Sequence, residues 1–153
     1  MPIVGKLINM IFKSRKDILF TTIFVGLSIF LIGVTLFTFI TAKEAFSLYE
    51  NWPLILILGC VGFLLWLFFG TNYELSEDGF IYRFGPMNGK ISVSRIKEIV
   101  KGKTLWMGFR PATARKGLII KYDQYNEIYI SPKTNESFII KILELNSNIK
   151  ITE

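Results

Sequence analysis

The sequence predicts a helical transmembrane hairpin followed by a small α+β domain, in which a bent antiparallel sheet is closed by a C-terminal helix. Three observations carry this. Two uncharged apolar runs fill the first half, Ile18–Thr41 through 24 residues and Asn51–Tyr73 through 23. Beyond Tyr73 the apolar residues alternate with polar ones, and beyond Pro132 they recur at helical spacing. The mean hydropathy of +0.43 and the 51% hydrophobic content are too high for an ordinary soluble fold of 153 residues.

Each run exceeds the roughly 20 residues that cross a hydrocarbon layer about 30 Å thick. A buried core helix is rarely apolar on every face for so long, and two in tandem would leave no face for water. Lys13, Arg15 and Lys16 precede the first run, as in a signal peptide. That run is longer than a cleavable apolar core, however, and a second span follows it. The spans are read as 18–41 and 52–72, and the link 42–51 as a short extracytoplasmic loop. So short a link makes a hairpin and puts both termini on one side. Lys6, Lys13, Arg15 and Lys16 stand before the first span against Asp17, while the link has Lys43 beside Glu44 and Glu50. Basic residues near a span stay in the cytoplasm, so residues 1–17 and 73–153 are expected at the cytoplasmic face of the membrane. Tyr49, Trp52 and Tyr73 close the runs, where amphipathic rings favour the headgroup layer.

Within residues 1–17, Ile3, Val4, Leu7, Ile8 and Ile11 recur at helical spacing. Two readings fit: a helix lying in the membrane surface, or a frayed leader into the first span. In the tail, "GFIYRFG" alternates Phe80, Tyr82 and Phe84 with Ile81 and Arg83, and "GKISVS" alternates Ile91 and Val93 with polar neighbours. Glu77–Gly79 and Gly85–Gly89 supply turns. "LIIKY" and "EIYIS" flank Asp123–Asn126 as a hairpin, and short connections between strands imply an antiparallel meander. From Phe138 through Ile139, Ile142, Leu143 and Leu145 runs an apolar helical stripe. Thr134 or Asn135 can cap its start and Asn146 can close it.

Together "YRFGP", "ISVSRIKEI", "GLIIKY", "IYISP" and a helix beginning "NESFI", behind two spans, resemble the bacterial pleckstrin-homology-like membrane proteins, the YyaB-like PH family. The resemblance covers about residues 72–149. It implies a PH-like domain: a bent seven-stranded antiparallel sheet or partly open barrel with a C-terminal capping helix. It implies a bacterial inner (plasma) membrane as the location and no catalytic residue.

The residues point away from catalysis independently. The chain has no histidine, and with it goes the commonest general base, metal ligand and pH switch. There is no phosphate-cradling glycine loop and no zinc spacing, so neither cofactor nor metal is expected. Cys60, the single cysteine, can form no internal disulfide. Neither span holds a charge, which argues against a transporter built from this chain alone. Gly26 with Gly33, and Gly59 with Gly62, miss the close-packing G-x-x-x-G spacing.

The concentrated feature is positive charge. From Arg95 to Lys121 there are eight basic residues and one acid, Glu98. Arg95, Lys97, Lys101, Lys103, Arg110, Arg115 and Lys116, with Trp106 among them, form the candidate surface for a membrane or an anionic ligand. Each cation held at an anionic leaflet contributes on the order of 1 kcal/mol. Two arrangements fit the segment: the loop faces the bilayer, or Trp106 and Phe109 plug the sheet end while the cations face water. The sequence thus predicts a non-enzymatic integral membrane protein presenting a PH-like domain to anionic phospholipids or a protein partner. An assembly or regulatory subunit of a larger membrane complex is the alternative. Nucleic acid is not an expected partner, since no reader fold is recognisable.

Overall fold

A computed structural model describes residues 9–41 and 52–153. The link 42–51 and the first eight residues, with the expectations placed on them, lie outside the described residues. In chain order the elements are β1 (Met10–Lys13), α1 (Ile18–Thr41), α2 (Trp52–Phe69), β2 (Asn72–Ser76), β3 (Gly79–Phe84), β4 (Met87–Ile91) and β5 (Ile96–Lys101). They continue with β6 (Leu118–Tyr122), β7 (Asn126–Ile130), α3 (Asn135–Leu145) and β8 (Lys150–Thr152). A single 3-10 turn, Val93–Arg95, separates β4 from β5.

The strands form two four-stranded sheets, ordered β1-β2-β3-β4 and β7-β6-β5-β8. Pairing is antiparallel throughout except for β8 against β5. The family resemblance implies one seven-stranded antiparallel sheet; the described residues instead form eight strands, one pair of them parallel. The parallel pair follows from α3, which carries the chain back across the open end before β8 docks, so β8 runs the same way as β5. The two sheets meet at a corner where Ser14 bridges Pro132 and the Arg15 N–H donates to the Ser131 carbonyl at 2.7 Å. They do not close into a barrel.

β1 corrects the sequence reading of residues 10–13. The helical spacing of Ile11 with its neighbours is overridden by pairing: Met10 opposes Leu75 and Lys13 opposes Asn72. Phe12 turns inward and meets Phe138 edge to face at 5.3 Å, while Ile11 points out. The domain therefore begins before the hairpin rather than at residue 73. The two long helices are inserted between its first two strands, which are hydrogen-bonded neighbours.

The two helices are apolar on all faces and are scarcely covered by the rest of the chain. Among their described side chains only Ser28, Val61 and Phe68 are buried. At 1.5 Å per residue they reach about 36 Å and about 27 Å, long enough to cross a membrane. Phe24 and Phe68 pack with ring centres 5.2 Å apart. A β-carbon at Gly26, Gly33, Gly59 or Gly62 would meet open space, so these glycines bring no backbones together. The second helix ends at Phe69, not at 72. Gly70 and Thr71 leave it, and Asn72 is already paired with both Lys13 and Arg83. Tyr73 is consequently fully buried in the domain and does not sit in a headgroup layer.

The main core lies between the sheets and α3. It joins Tyr73, Leu75, Phe80, Ile91, Val93, Ile96 and Ile99 to Leu118, Ile120, Ile128, Ile130, Phe138, Ile142 and Ile149. The sequence reads "ISVS" as strand throughout. The strand ends at Ile91, and the 3-10 turn after it still drives Val93 inward. A second cluster explains why β6 and β7 are apolar on both faces. Val100, Ile119 and Tyr129 point to the outer side of their sheet, where Leu105 and Ala112 of the 102–117 loop cover them. At the start of α3 Thr134 holds the cap position without a side-chain bond to the helix. The Asn135 amide instead donates to the Lys116 and Gly117 carbonyls at 3.0 and 3.5 Å. Asn146 closes α3 through its N–H to the Ile142 carbonyl, 2.9 Å.

Gly117 is the tightest backbone approach. A β-carbon there would stand 2.1 Å from the Ile130 carbonyl oxygen and 3.1 Å from the Tyr129 ring. Gly117→Ala is expected to force β6 from β7 and to destabilise by roughly 1–3 kcal/mol, the range for overpacking a close-fitted site. A lowered thermal midpoint of the detergent-solubilised chain would register it; an unchanged midpoint would refute the contact.

A cationic groove at the foot of the hairpin

Three segments meet where α1 leaves the domain. The first is the β1–α1 junction, Ser14 to Ile18. The second is the end of α2 with Thr71. The third is the 102–117 loop. A knot of buried hydroxyls fastens them. Ser14 Oγ lies 2.9 Å from both Thr113 Oγ1 and Ser131 Oγ, and 3.2 Å from the Tyr73 hydroxyl. The Tyr73 hydroxyl donates to the Pro111 carbonyl at 2.6 Å and accepts from the Ser131 N–H at 3.1 Å. Thr113 Oγ1 donates to the Arg15 carbonyl, and the Asp17 N–H donates to the Thr113 carbonyl. Polar groups this deep are stabilising only when satisfied, and here each bond ties a different stretch of chain to the junction. Burial raises the Tyr73 hydroxyl above its ordinary pKa, and its bonds to Ser131 and Ser14 work against that rise.

Above the knot the loop carries its charge. The Arg115 guanidinium donates to the Asp17 carboxylate at 2.5 Å. This bond, assisted by the charge of Arg115, holds the Asp17 carboxyl below its usual range and raises Arg115 in turn. Arg15 donates from one nitrogen to the Arg115 and Lys116 carbonyls at 2.6 and 2.9 Å. The Lys116 N–H is taken by Thr104 Oγ1 at 2.9 Å. Lys116 itself is left-handed, φ +53°. With its carbonyls tied down from behind by Arg15 and Asn135, the turn presents its side chains outward. Lys16 lies over the Phe69 and Phe68 rings at 3.7 and 4.6 Å. Burial there, and next the charge of Lys13, lower its pKa.

The result is an open groove of about 650 Å³ lined by Arg15, Lys16, Asp17, Ile18, Thr104, Trp106, Arg115 and Lys116. Trp106 is 75% exposed and Met107 84% exposed. The Arg110 guanidinium sits 5.9 Å from the Trp106 ring, 5.9 Å from the ring of Phe20 in the first turn of α1, and 5.4 Å from Tyr129. Phe109 rests against Tyr82 at 5.4 Å and gives its carbonyl to the Tyr129 N–H. Of the two aromatic residues expected to plug the sheet together, Phe109 does so in part and Trp106 stays exposed.

The eight residues singled out from sequence do not form one surface. Trp106, Arg110, Arg115 and Lys116 gather at the hairpin. Arg95 and Lys97 lie at the opposite end of β5, where Arg95 pairs with Asp123 beside the 123–126 turn. Lys101 is paired with Glu136 at 3.1 Å, and Lys103 donates to the Glu153 carbonyl. Conversely, Arg15, Lys16 and Asp17 enter the site although the sequence suggests for them no more than the orientation of the apolar runs and a comparison with a signal peptide. Their place just before a span was the available signal. Among the described residues no cluster of three or more histidine, cysteine or acidic side chains could hold a metal ion.

Known proteins agree with this architecture. Residues 71–146 match the bacterial PH domain. This region is a bacterial PH domain, and the chain as a whole is YyaB-like. It is 29% identical over 144 residues to a protein of Bacillus subtilis (strain 168) described as uncharacterized protein YyaB, covering 93% of this chain and 97% of that one. No solved structure matches the chain. The PH domain match begins at Thr71 and ends at Asn146, so β1 and β8 lie outside it although both pair with its strands. The PH fold of this chain is completed by segments on either side of the matched region.

Proposed function

We propose that this bacterial PH domain protein is a non-enzymatic integral membrane protein, with α1 and α2 spanning the inner membrane and the domain held against the cytoplasmic leaflet. The observation that carries this reading is the position of Arg110. Its guanidinium stands equally far from Phe20, in the first turn of α1, and from Trp106 at the loop tip. The loop tip therefore lies beside the point where the first span begins. Two further features support it. The apolar side chains of both helices are left uncovered. Thr21, Ser28, Thr35, Thr38 and Thr41 each donate their hydroxyl to the carbonyl four residues back, which satisfies them without water. Because the spans continue directly from adjacent paired strands, the domain has no slack by which to swing away from the bilayer. Cations and an amphipathic ring so held suit an anionic surface.

A test uses the full chain with Trp52 and Trp66 replaced by phenylalanine, reconstituted in phosphatidylglycerol-containing vesicles. Trp106 emission is expected to be strongly quenched by lipids brominated near the headgroup. Unquenched, water-like emission would defeat the proposal, as would a tag at Glu153 that reacts from outside intact cells.

A second reading, a subunit docking a protein partner, is favoured by one feature. β4 is an edge strand, with Met87 exposed and its outer side unpaired among the described residues. Stoichiometric co-purification in mild detergent, abolished by proline at Asn88, would support it.

A further inference from the structure

We propose that the groove formed by Arg15, Lys16, Arg115 and Lys116 beneath Trp106 is a binding site for the phosphate of one anionic phospholipid headgroup. The inference rests on the membrane reading above and narrows it from a charged face to a bounded site.

The charge balance distinguishes this groove from the remaining surface. Five cations elsewhere are matched singly, Arg83 with Glu74, Arg95 with Asp123, Lys101 with Glu136, Lys121 with Glu98 and Lys141 with Glu144, and those without an ion pair among the described residues, such as Lys90, Lys97 and Lys150, do not line this groove. In the groove four cations share one carboxylate, Asp17, which is taken by Arg115. Among the described residues Arg15, Lys16 and Lys116 form no ion pair, and the nearby Glu136, which feels the charge of Arg15, is itself paired with Lys101. Like charges gathered in this way repel, and an anion seated between them would relieve the repulsion.

Two of the four cations, and the backbone of a third, are held in place. Arg15 is fixed by two backbone carbonyls, Lys116 by a left-handed turn whose N–H is bonded to Thr104, and Arg115 by Asp17. Cations held in advance lose little freedom on binding. A groove of about 650 Å³ is of the size that accepts a small polar group. Asp17 and Ile18, where the polar junction becomes the apolar helix, are part of its lining, so with α1 spanning a bilayer the groove would lie at the level of lipid phosphates. Trp106 on one wall offers an amphipathic ring suited to that same layer. A lipid is thus the source of phosphate that the position favours over a solute.

The test is native mass spectrometry of the full chain released from nanodiscs of equal phosphatidylglycerol and phosphatidylcholine. One phosphatidylglycerol per chain is expected to persist in preference to phosphatidylcholine. Lys16→Gln with Lys116→Asn, asparagine being tolerated at positive φ, should weaken that preference by roughly 5-fold for each cation removed. Lys97→Gln with Lys150→Gln, which lie outside the groove, should leave it unchanged. Asp17→Asn supplies the opposite sign: it breaks an ion pair, yet by removing the groove's carboxylate it should strengthen retention. Equal retention of both lipids, an equal loss in the Lys97/Lys150 variant, weaker retention in Asp17→Asn, or full displacement by inorganic phosphate would each overturn the proposal. If Trp106 is quenched as expected while both lipids are retained equally, the membrane reading stands and this inference alone fails.

Discussion

Phe138→Ala should destabilise the domain by about 3–5 kcal/mol, the upper end of what truncating a core side chain costs. The ring is fully buried and meets Phe12 at 5.3 Å and Phe80 at 5.6 Å, both edge to face. It joins three pieces that are far apart in sequence: β1 before the hairpin, β3 in the first sheet, and α3. Truncation leaves a cavity that none of them can fill, because β1 is fixed by its continuity with α1 and α3 by its connection to β7. The aromatic contacts are lost in addition to the buried area. A fall in the thermal midpoint of about 10 °C or more is expected for a domain of this size, with loss of near-ultraviolet circular dichroism ahead of the helical signal, since α1 and α2 do not depend on the core. A midpoint within about 2 °C of the parent would refute the packing described.

Tyr73→Phe should be nearly as damaging although it removes one oxygen. The Pro111 carbonyl loses its donor, the Ser131 N–H loses its acceptor, and Ser14 Oγ loses one of its contacts. Stranding two buried backbone groups costs roughly 2–4 kcal/mol in sum. The substitution also changes pH dependence. Burial raises the Tyr73 pKa above the value of about 10 of an unfolded tyrosine. Between these values the folded state keeps a proton that the unfolded chain releases, so stability declines as pH rises. The contribution is full below pH ~10 and is lost through the folded-state pKa. In Tyr73→Phe that alkaline decline should shrink; Tyr82, which burial also raises, continues to contribute to it, and Lys16, which is lowered, acts in the opposite sense. An alkaline limb identical in parent and variant would contradict the placement of the hydroxyl. At the acid end the signs reverse. Asp17, Glu98 and Asp123 are all lowered, first by hydrogen bonds from Arg115, Thr152 and Arg95 respectively, so what they contribute is present above their ordinary carboxylate range and fades as pH falls.

The strands that read most clearly in the sequence, β3, β6 and β7, are those whose side chains either alternate or form short β-branched runs between turn residues. Their register follows from the turns at Gly85–Pro86 and Asp123–Tyr125. β1 could not be read in this way. Its four residues sit in a stretch whose apolar spacing also fits a helix, and only a partner strand some 60 residues later chooses between the two. The end of α2 was obscured for a related reason. Apolar residues continue through Tyr73, but the first strand of a buried sheet is as uncharged as the end of a span, so composition cannot mark where one becomes the other. In the site, Trp106, Arg110, Arg115 and Lys116 were visible as a basic stretch with an aromatic residue in it. The grouping of Arg95 and Lys97 with them was a consequence of counting charge along the chain, whereas β5 carries the chain from one end of the sheet to the other between them.

Local composition and period are enough to specify two uncharged helices long enough for a bilayer, an antiparallel domain with a C-terminal helix, and a surplus of positive charge after β4. Long-range packing, by contrast, inserts the hairpin between two paired strands and brings Arg15, Lys16, Arg115 and Lys116 into the lining of one groove. The reason is physical. Helical period and hydropathy are properties of neighbouring residues, while strand pairing and the meeting of like charges depend on which distant segments a shared core draws together.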